Sequence, residues 1–396
     1  MIVFALKMLL GDRAKYFGLL FGITFTSFLV TFAASYFGGM MTRSFALIAE
    51  SPADVWVMDP AVVAVDRTMN LPNSALNQVR SVDGVLSAVP LALATADARF
   101  PNGRFQSVQV IGVDDATLAG VPLMTGGKKA TALRTPDAVI IDDGGTSGKL
   151  DTPVRHADQW PQGAPRLDVP MRPLDIGDEL LVNDTRARVA GRSQALPRFP
   201  PRPLLFTTYS MAERILLSER RRLTFVIVTA APGVAPRTLA KRIEAATHLR
   251  ARSSADFKSD TVHWMVANSE DVGDAVTMLT IAMLVGFGVT GVMMFMFTNE
   301  NLKYYAVFNA MGATARQIVL MVFAQAAACA LMGAGLGLGL CAIAGRIFTA
   351  YDFPYRLMWF APLLGGAAVV MVSVGAAAFS IRPVRKMQPA SFLAGR

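Results

Sequence analysis

The sequence predicts an α-helical polytopic membrane protein: four transmembrane helices, with a large α+β domain inserted between the first and the second. Two observations carry this. Charge is absent from four stretches, Tyr16 to Thr42, Ala275 to Asn299, Gln317 to Gly345 and Leu357 to Ile381, and about 20 apolar residues cross a bilayer as a helix. Between the first two of these stretches the composition becomes mixed and turn-rich, with short alternating apolar runs of the kind that form strands. At 53% hydrophobic and 17% charged, the chain carries uncharged runs that a soluble fold of 396 residues has no need of.

The formal charge of +9 raises the question of nucleic acid, and its placement answers it. From Arg43 to Asp271 acids and bases nearly balance. The excess sits beside the apolar stretches, at Lys7, Arg13 and Lys15, at Lys303 and Arg316, and at Arg382, Arg385, Lys386 and Arg396. The loop before the last stretch has only Arg346 and Arg356. Cytoplasmic flanks are the ones enriched in Lys and Arg. Both termini and the loop around Glu300 are therefore expected in the cytoplasm, and the large segment in the periplasm, for a multi-pass protein of a bacterial inner membrane. No nucleic acid is needed to explain the charge.

Taken in order, residues 1–15 read as a cytoplasmic interfacial helix, since Met1 to Leu10 is apolar apart from Lys7 but too short to span. Residues 16–41 are the first transmembrane helix. A cleavable signal peptide ending at Ala33-Ala34-Ser35 is the competing reading, with an apolar region longer than a normal signal core. Residues 42–271 form the periplasmic domain, divided into a body (about 50–135 and 205–270) and an inserted β subdomain (about 136–204). Strands are expected at Ala53–Met58, Val85–Thr95, Phe105–Val113, Ala138–Ile141 and Leu223–Thr229, and a hairpin over Ile176–Val182 and Arg186–Ala190. Helices are expected at Asn73–Ser81, Tyr209–Ser218 and Pro236–Thr247. Four prolines between Gln194 and Pro203 make an extended strap.

Helical character resumes near Asp256 and can run unbroken into the second span, 272–299, as a stiff rod. Residues 315–346 and 357–381 are the third and fourth spans, joined by a periplasmic loop at 347–356, and 382–396 is a cytoplasmic tail. The small-residue pairs Gly18/Gly22, Ser35/Gly39, Gly333/Gly337 and Gly335/Gly339 permit close helix packing, within one chain or between chains.

The segment 300–314 is the centre of the chain. Leu302, Tyr305, Ala306, Phe308 and Met311 recur at roughly helical spacing. Gly312 is a natural stop, because glycine takes the left-handed cap without strain, and Thr314 with Gln317 has the form of a capping box. Such a short helix between two spans is either a place for a soluble partner to push or simply a well-capped hairpin loop.

Other chemistry is thin. Thr125-Gly126-Gly127-Lys128-Lys129 has the wrong spacing for a phosphate loop. His156, His248 and His263 are scattered and have no metal-ligand spacing. Asp114-Asp115 and Asp142-Asp143 read as solvated turns or, less economically, as paired carboxylates. Arg220–Arg222 is a helix–strand surface or a lipid-headgroup contact. Cys329 and Cys341, about 18 Å apart along one helix, cannot bridge each other. No charged residue lies within the four spans, which argues against a proton path or a charged selectivity ring. No metal, cofactor or catalytic residue is expected in the chain, so the energy comes from a partner.

The order of these pieces resembles the FtsX/MacB-like ABC transporter permeases. Glu300-Asn-Leu-Lys303, Ala306-Val307 and Ala310-Met-Gly-Ala-Thr314 are similar to that family's cytoplasmic segment, and Arg382 to Ala390 to its closing Pro…Pro-Ala signature. Ala53–Asp59, Val79–Val85, Pro203–Tyr209 and Leu223–Val226 resemble the heterocyst glycolipid exporter (DevC-type) branch. Tyr304 and Asn309 depart from the family's acidic and basic residues, so polar docking contacts there would differ.

The resemblance implies a homodimer bound to an ABC ATPase subunit dimer, which carries the ATP and magnesium, together with a periplasmic adaptor (membrane fusion protein) and an outer-membrane channel. The function it implies is mechanotransmission in an exporter of lipid, glycolipid or toxic small-molecule or peptide cargo. The coupling residues would be Glu300, Leu302, Lys303, Tyr305, Phe308, Asn309, Met311, Gly312 and Thr314: apolar docking by Leu302, Tyr305, Phe308 and Met311, polar contacts by Glu300 and Lys303. Two alternatives stand beside it: a regulatory module that gates a periplasmic hydrolase or senses an antibiotic, and a membrane-anchored enzyme working at Asp142-Asp143.

Overall fold

A computed structural model describes residues 2–11, 13–127, 129–143, 149–154, 165–216 and 223–385. The chain forms two compact units, one from Met1–Met40 with Glu270–Arg396 and one from Met41–Ser269. Helices α1 (Ile2–Gly11) and α2 (Arg13–Ser44) come first.

The second unit holds α3 (Ala46–Glu50), β1 (Val55–Met58), α4 (Ala75–Arg80), β2 (Val85–Arg99), β3 (Phe105–Val113), β4 (Ala138–Asp142), β5 (Asp151–Pro153), β6 (Met171–Pro173), β7 (Glu179–Val182), β8 (Thr185–Ser193), β9 (Leu204–Thr208), α5 (Tyr209–Ile215), β10 (Phe225–Ala230), α6 (Pro236–Thr247), β11 (Arg250–Ser253) and α7 (Ser254–Asn268). Its sheet has two parts. Strands β11-β1-β10-β2 lie side by side, each antiparallel to its neighbour, with α4 and α6 as the crossovers. This is the split βαβ arrangement. The strand residues bury both faces: Val55, Val57, Val226 and Val228 pack with Leu239 and Ile243 of α6, while Trp56 and Phe225 pack with Phe257 of α7.

The other part begins within β2. That strand pairs with β10 up to Leu91 and with β3 from Leu91 to Arg99. From β3 the pairing runs through β9, β4, β8 and β7, and β7 returns to β2 at Ala98 and Arg99. Six strands thus close into a barrel. Its inner cluster draws on all six, including Ala96, Val110, Leu205, Val139, Val189 and Val182, and on α5. The alternate residues Ile111, Phe206 and Ile140 point the other way, into the cluster around Trp56.

The sequence division therefore shifts: β3, β9 and α5, assigned to the body, belong by pairing and packing with the inserted strands. One continuous 15-residue strand serves both parts, so no change of composition marks the border.

Most expected elements form, and the β7–β8 hairpin turns on Asn183 and Asp184, both at positive φ, as a two-residue hairpin requires. Strand β11 was not expected. Its Ala251 and Ser253 face inward, while Arg250 and Arg252 both pair with Asp260 of α7 (2.8 and 2.9 Å). The strap Gln194–Pro203 has no regular structure, in keeping with its prolines.

The first unit is completed by α8 (Glu270–Glu300), α9 (Leu302–Ala310), α10 (Ala315–Ala350) and α11 (Phe360–Arg385). Among the described residues, four helices are long and apolar enough to cross a membrane: Arg13–Ser44, Glu270–Glu300, Ala315–Ala350 and Phe360–Ile381. The unbroken rod into the second span does not form. Ser269 is extended (φ −93°, ψ 128°) and ends α7 before α8 begins.

The glycine pairs Gly18/Gly22 and Gly333/Gly337 pack within the chain, Gly22 on Val289 and Thr290, Gly333 on Ile23 and Gly337 on Ser27, whereas Gly335 and Gly339 face open space. Ala33, Ala34 and Ser35, the possible cleavage site, are buried mid-helix. Helix α1 is more than a surface helix, since Ala5 and Leu9 are buried in the core of the helical unit. Lys128, His156, Arg220–Arg222 and most of the closing signature (386–390) lie outside the described residues.

Candidate coupling site at the α8–α10 turn

The turn is built as its sequence dictates. Helix α8 stops at Glu300, and Asn301 breaks the run while its side-chain amide donates back to the Phe297 carbonyl (2.8 Å). Nine residues of α9 follow. At its end Gly312 takes φ 98°, the Ala313 amide donates to the Phe308 carbonyl (2.9 Å) and the Gly312 amide to that of Asn309 (3.0 Å). These are the two bonds of a Schellman cap. Thr314 then caps α10: Gln317 N–H donates to Thr314 Oγ1 (3.4 Å) and Thr314 N–H to Gln317 Oε1 (2.8 Å). Both stop signals in the sequence are used.

Burial divides the expected coupling residues into two sets. Tyr305 is fully buried. Its hydroxyl donates to Gln325 Oε1 of α10 (3.0 Å), and Gln325 Nε2 donates to the Ala5 carbonyl of α1 (2.9 Å). Desolvation pushes the Tyr305 phenol up to about 12, so it stays a neutral donor. Tyr305 therefore has no surface to offer a docking partner; it is the anchor of α9. Leu302 and Phe308 are half-buried against the same core, and Phe308 meets the Phe4 ring of α1 at 6.1 Å. Glu300 is half exposed and ion-paired with Lys15 of α2. Asn309 is half-buried, and Gly312 and Thr314 are exposed but occupied with capping.

What remains for a partner is Lys303 and Met311. Between them the structure adds Tyr304 (60% exposed) and Val307 (46%), neither among the expected coupling residues. On α9, positions 303, 304 and 307 form one helical face, continued by Met311 at the C-cap, as 302, 305, 306 and 309 form the opposite one. Both stripes hold apolar residues, so spacing could not tell inward from outward. The small Ala306 on one stripe and the bulkier Tyr304 and Val307 on the other were the available hint. The outward face carries the basic Lys303 beside Tyr304 and the apolar Val307 and Met311.

Other expected sites have structural work. Asp142 is buried at the end of β4, where its Oδ1 accepts from the Leu204 amide (3.0 Å), and Asp143 pairs with Arg192 (2.6 Å). Asp114 accepts from the Thr117 amide and Asp115 from that of Ser210. His248 is the left-handed cap of α6, and His263 stands 3.4 Å from the Ser259 hydroxyl, one turn away. Among the described residues no group of three His, Cys, Asp or Glu side chains could hold a metal ion.

Residues 276–389 match the FtsX-like permease C-terminal family. That span runs from within α8 into α11 and includes the turn just described. No curated protein matches the chain. Among solved structures, one that is similar is the periplasmic region of MacB from Actinobacillus actinomycetemcomitans, at 14% identity over 54% of this chain and 94% of that one, with a TM-score of 0.35. Another is the extracellular domain of the noncanonic ABC-type transporter YknZ from Gram-positive bacteria, at 12% identity over 51% of this chain and 98% of that one, with a TM-score of 0.31.

Proposed function

We propose that this chain is the permease subunit of an ABC-type exporter. An ATPase subunit dimer docks on the outward face of α9, and the chain passes the resulting motion to its α/β unit on the other side of the inner membrane. The observation that carries the reading is the position of α9 within the FtsX-like segment: it presents Lys303, Tyr304, Val307 and Met311 outward while Tyr305 fixes it to α1 and α10. A helix held this way moves with its neighbours rather than swinging alone.

In this reading both termini and α9 are cytoplasmic and the chain works as a homodimer. ATP and magnesium belong to the partner, and an adaptor and outer-membrane channel receive lipid, glycolipid, small-molecule or peptide cargo. The test is a purified complex of this chain with its ATPase in nanodiscs. Val307→Asp and Met311→Asp are expected to weaken ATPase association at least tenfold with the helical unit still folded. Full association and export in both variants would overturn the proposal, as would labelling that found a cysteine at position 303 on the outside.

A further inference from the structure

The α/β unit contains a cavity of about 850 Å³, at the upper end of the roughly 300–1,000 Å³ of small-molecule sites. Its walls come from the loop after β1, from β2 and β3, and from the end of the proline strap. They are unusually polar. Asp66, Gln109 and Arg202 line it together with the hydroxyls of Thr68, Thr95 and Ser107. Gln109 is 8% exposed, and Arg202 reaches toward Thr95 Oγ1 at 3.4 Å. Asp66 and Arg202 feel each other's charge, yet no ion pair joins them among the described residues. The cavity thus offers one acidic and one basic group, separated by neutral donors and acceptors.

That lining narrows the chemistry. A simple anion would meet the Asp66 carboxylate, and a simple cation the Arg202 guanidinium. Among the described residues no aromatic side chain lines the cavity to stack a ring, and no metal-holding group is present. A molecule with an amine at one end and a carboxylate at the other satisfies both charges, and a polar middle meets the hydroxyls and the Gln109 amide.

We infer that this cavity binds a small zwitterion with a peptide-like polar backbone, its amine at Asp66 and its carboxylate at Arg202. The site uses no residue of α9, so its fate is separable from that of the proposed coupling role.

The test is equilibrium dialysis of the full-length chain in nanodiscs against an isotope-labelled tripeptide, Ala-Gln-Ala, and its N-acetylated and C-amidated forms. Saturable binding of the free tripeptide is expected, and either cap should weaken it roughly ten- to a hundredfold, the range of one charge-assisted hydrogen bond. In Asp66→Asn, N-acetylation should lose its effect while amidation keeps it; in Arg202→Gln the reverse should hold. Thermal unfolding of both variants checks that the unit is folded. Absence of saturable binding in the wild-type chain would overturn the inference, and so would cap effects that persist unchanged in both charge variants.

Discussion

Tyr305 and Gln325 are joined by a hydrogen bond of 3.0 Å between two fully buried side chains, and the second hands the contact on to the Ala5 carbonyl at 2.9 Å. Three helices meet at this one carboxamide. Tyr305→Phe keeps the ring and loses the donor, which leaves Gln325 Oε1 without its partner, at a cost of about 1–3 kcal/mol. Gln325→Leu removes the link to both neighbours and should cost a similar amount. The two changes share one interaction, so the double variant should destabilise by less than the sum. Thermal or denaturant unfolding in detergent measures all three. Additive effects would show that the residues act independently.

How much of this was visible in the sequence depends on which force set each feature. The spans were legible because a bilayer imposes a long run without charge, and the end of α9 because Gly312 and the Thr314–Gln317 pair are local devices. Strand β11 was not, because its arginines are held by Asp260, which pattern reading does not supply. The border between the sheet and the barrel was hidden inside β2. The role of Tyr305 was misread because its partner, Gln325, is on another helix; amphipathic spacing locates a stripe without saying which side meets the core.

Gly312 offers a sharper test of the turn. At φ 98° a side chain is strained, and glycine-to-alanine changes at positive φ cost more than the roughly 0.4–1 kcal/mol gained at compatible sites. Gly312→Ala is expected to destabilise the Schellman cap by about 1–2 kcal/mol. Hydrogen exchange should register this as faster exchange at the Gly312 and Ala313 amides, with α10 protection retained through its own Thr314 cap. Unchanged exchange at those two amides would remove the cap from the argument.

Within the α/β unit, Arg198 of the strap is buried and ion-paired with Glu50 of α3 at 3.0 Å, and Glu50 also accepts from the Leu196 amide. Burying one charge without its partner is far costlier than burying the pair. Glu50→Gln should therefore destabilise by about 3–5 kcal/mol. Replacing both partners, Glu50→Gln with Arg198→Met, should recover part of that loss: the buried guanidinium is gone, while Asp66 and Asp142 lose its charge. Denaturant unfolding of the full-length chain decides it. A double variant as unstable as Glu50→Gln alone would mean that the pair fixes the strap by shape rather than by charge.

The last prediction concerns pH. Desolvation pushes Asp66 up to about 6, against the opposing pull of Arg198, Arg202 and Arg67 and of the Gln109 hydrogen bond. The folded chain then holds this proton more tightly than the unfolded chain, whose aspartate titrates near 4. The contribution of Asp66 to stability is fully present below about pH 4 and is lost as pH rises through about 6. Asp66→Asn stays neutral throughout, so it escapes that loss. Its unfolding midpoint should lie above that of the wild-type chain at about pH 7.5, and the two should converge near pH 4. A difference that did not change between those values would show that Asp66 is as well solvated in the folded chain as in the unfolded one, and that the surrounding cavity exerts no electrostatic hold on it.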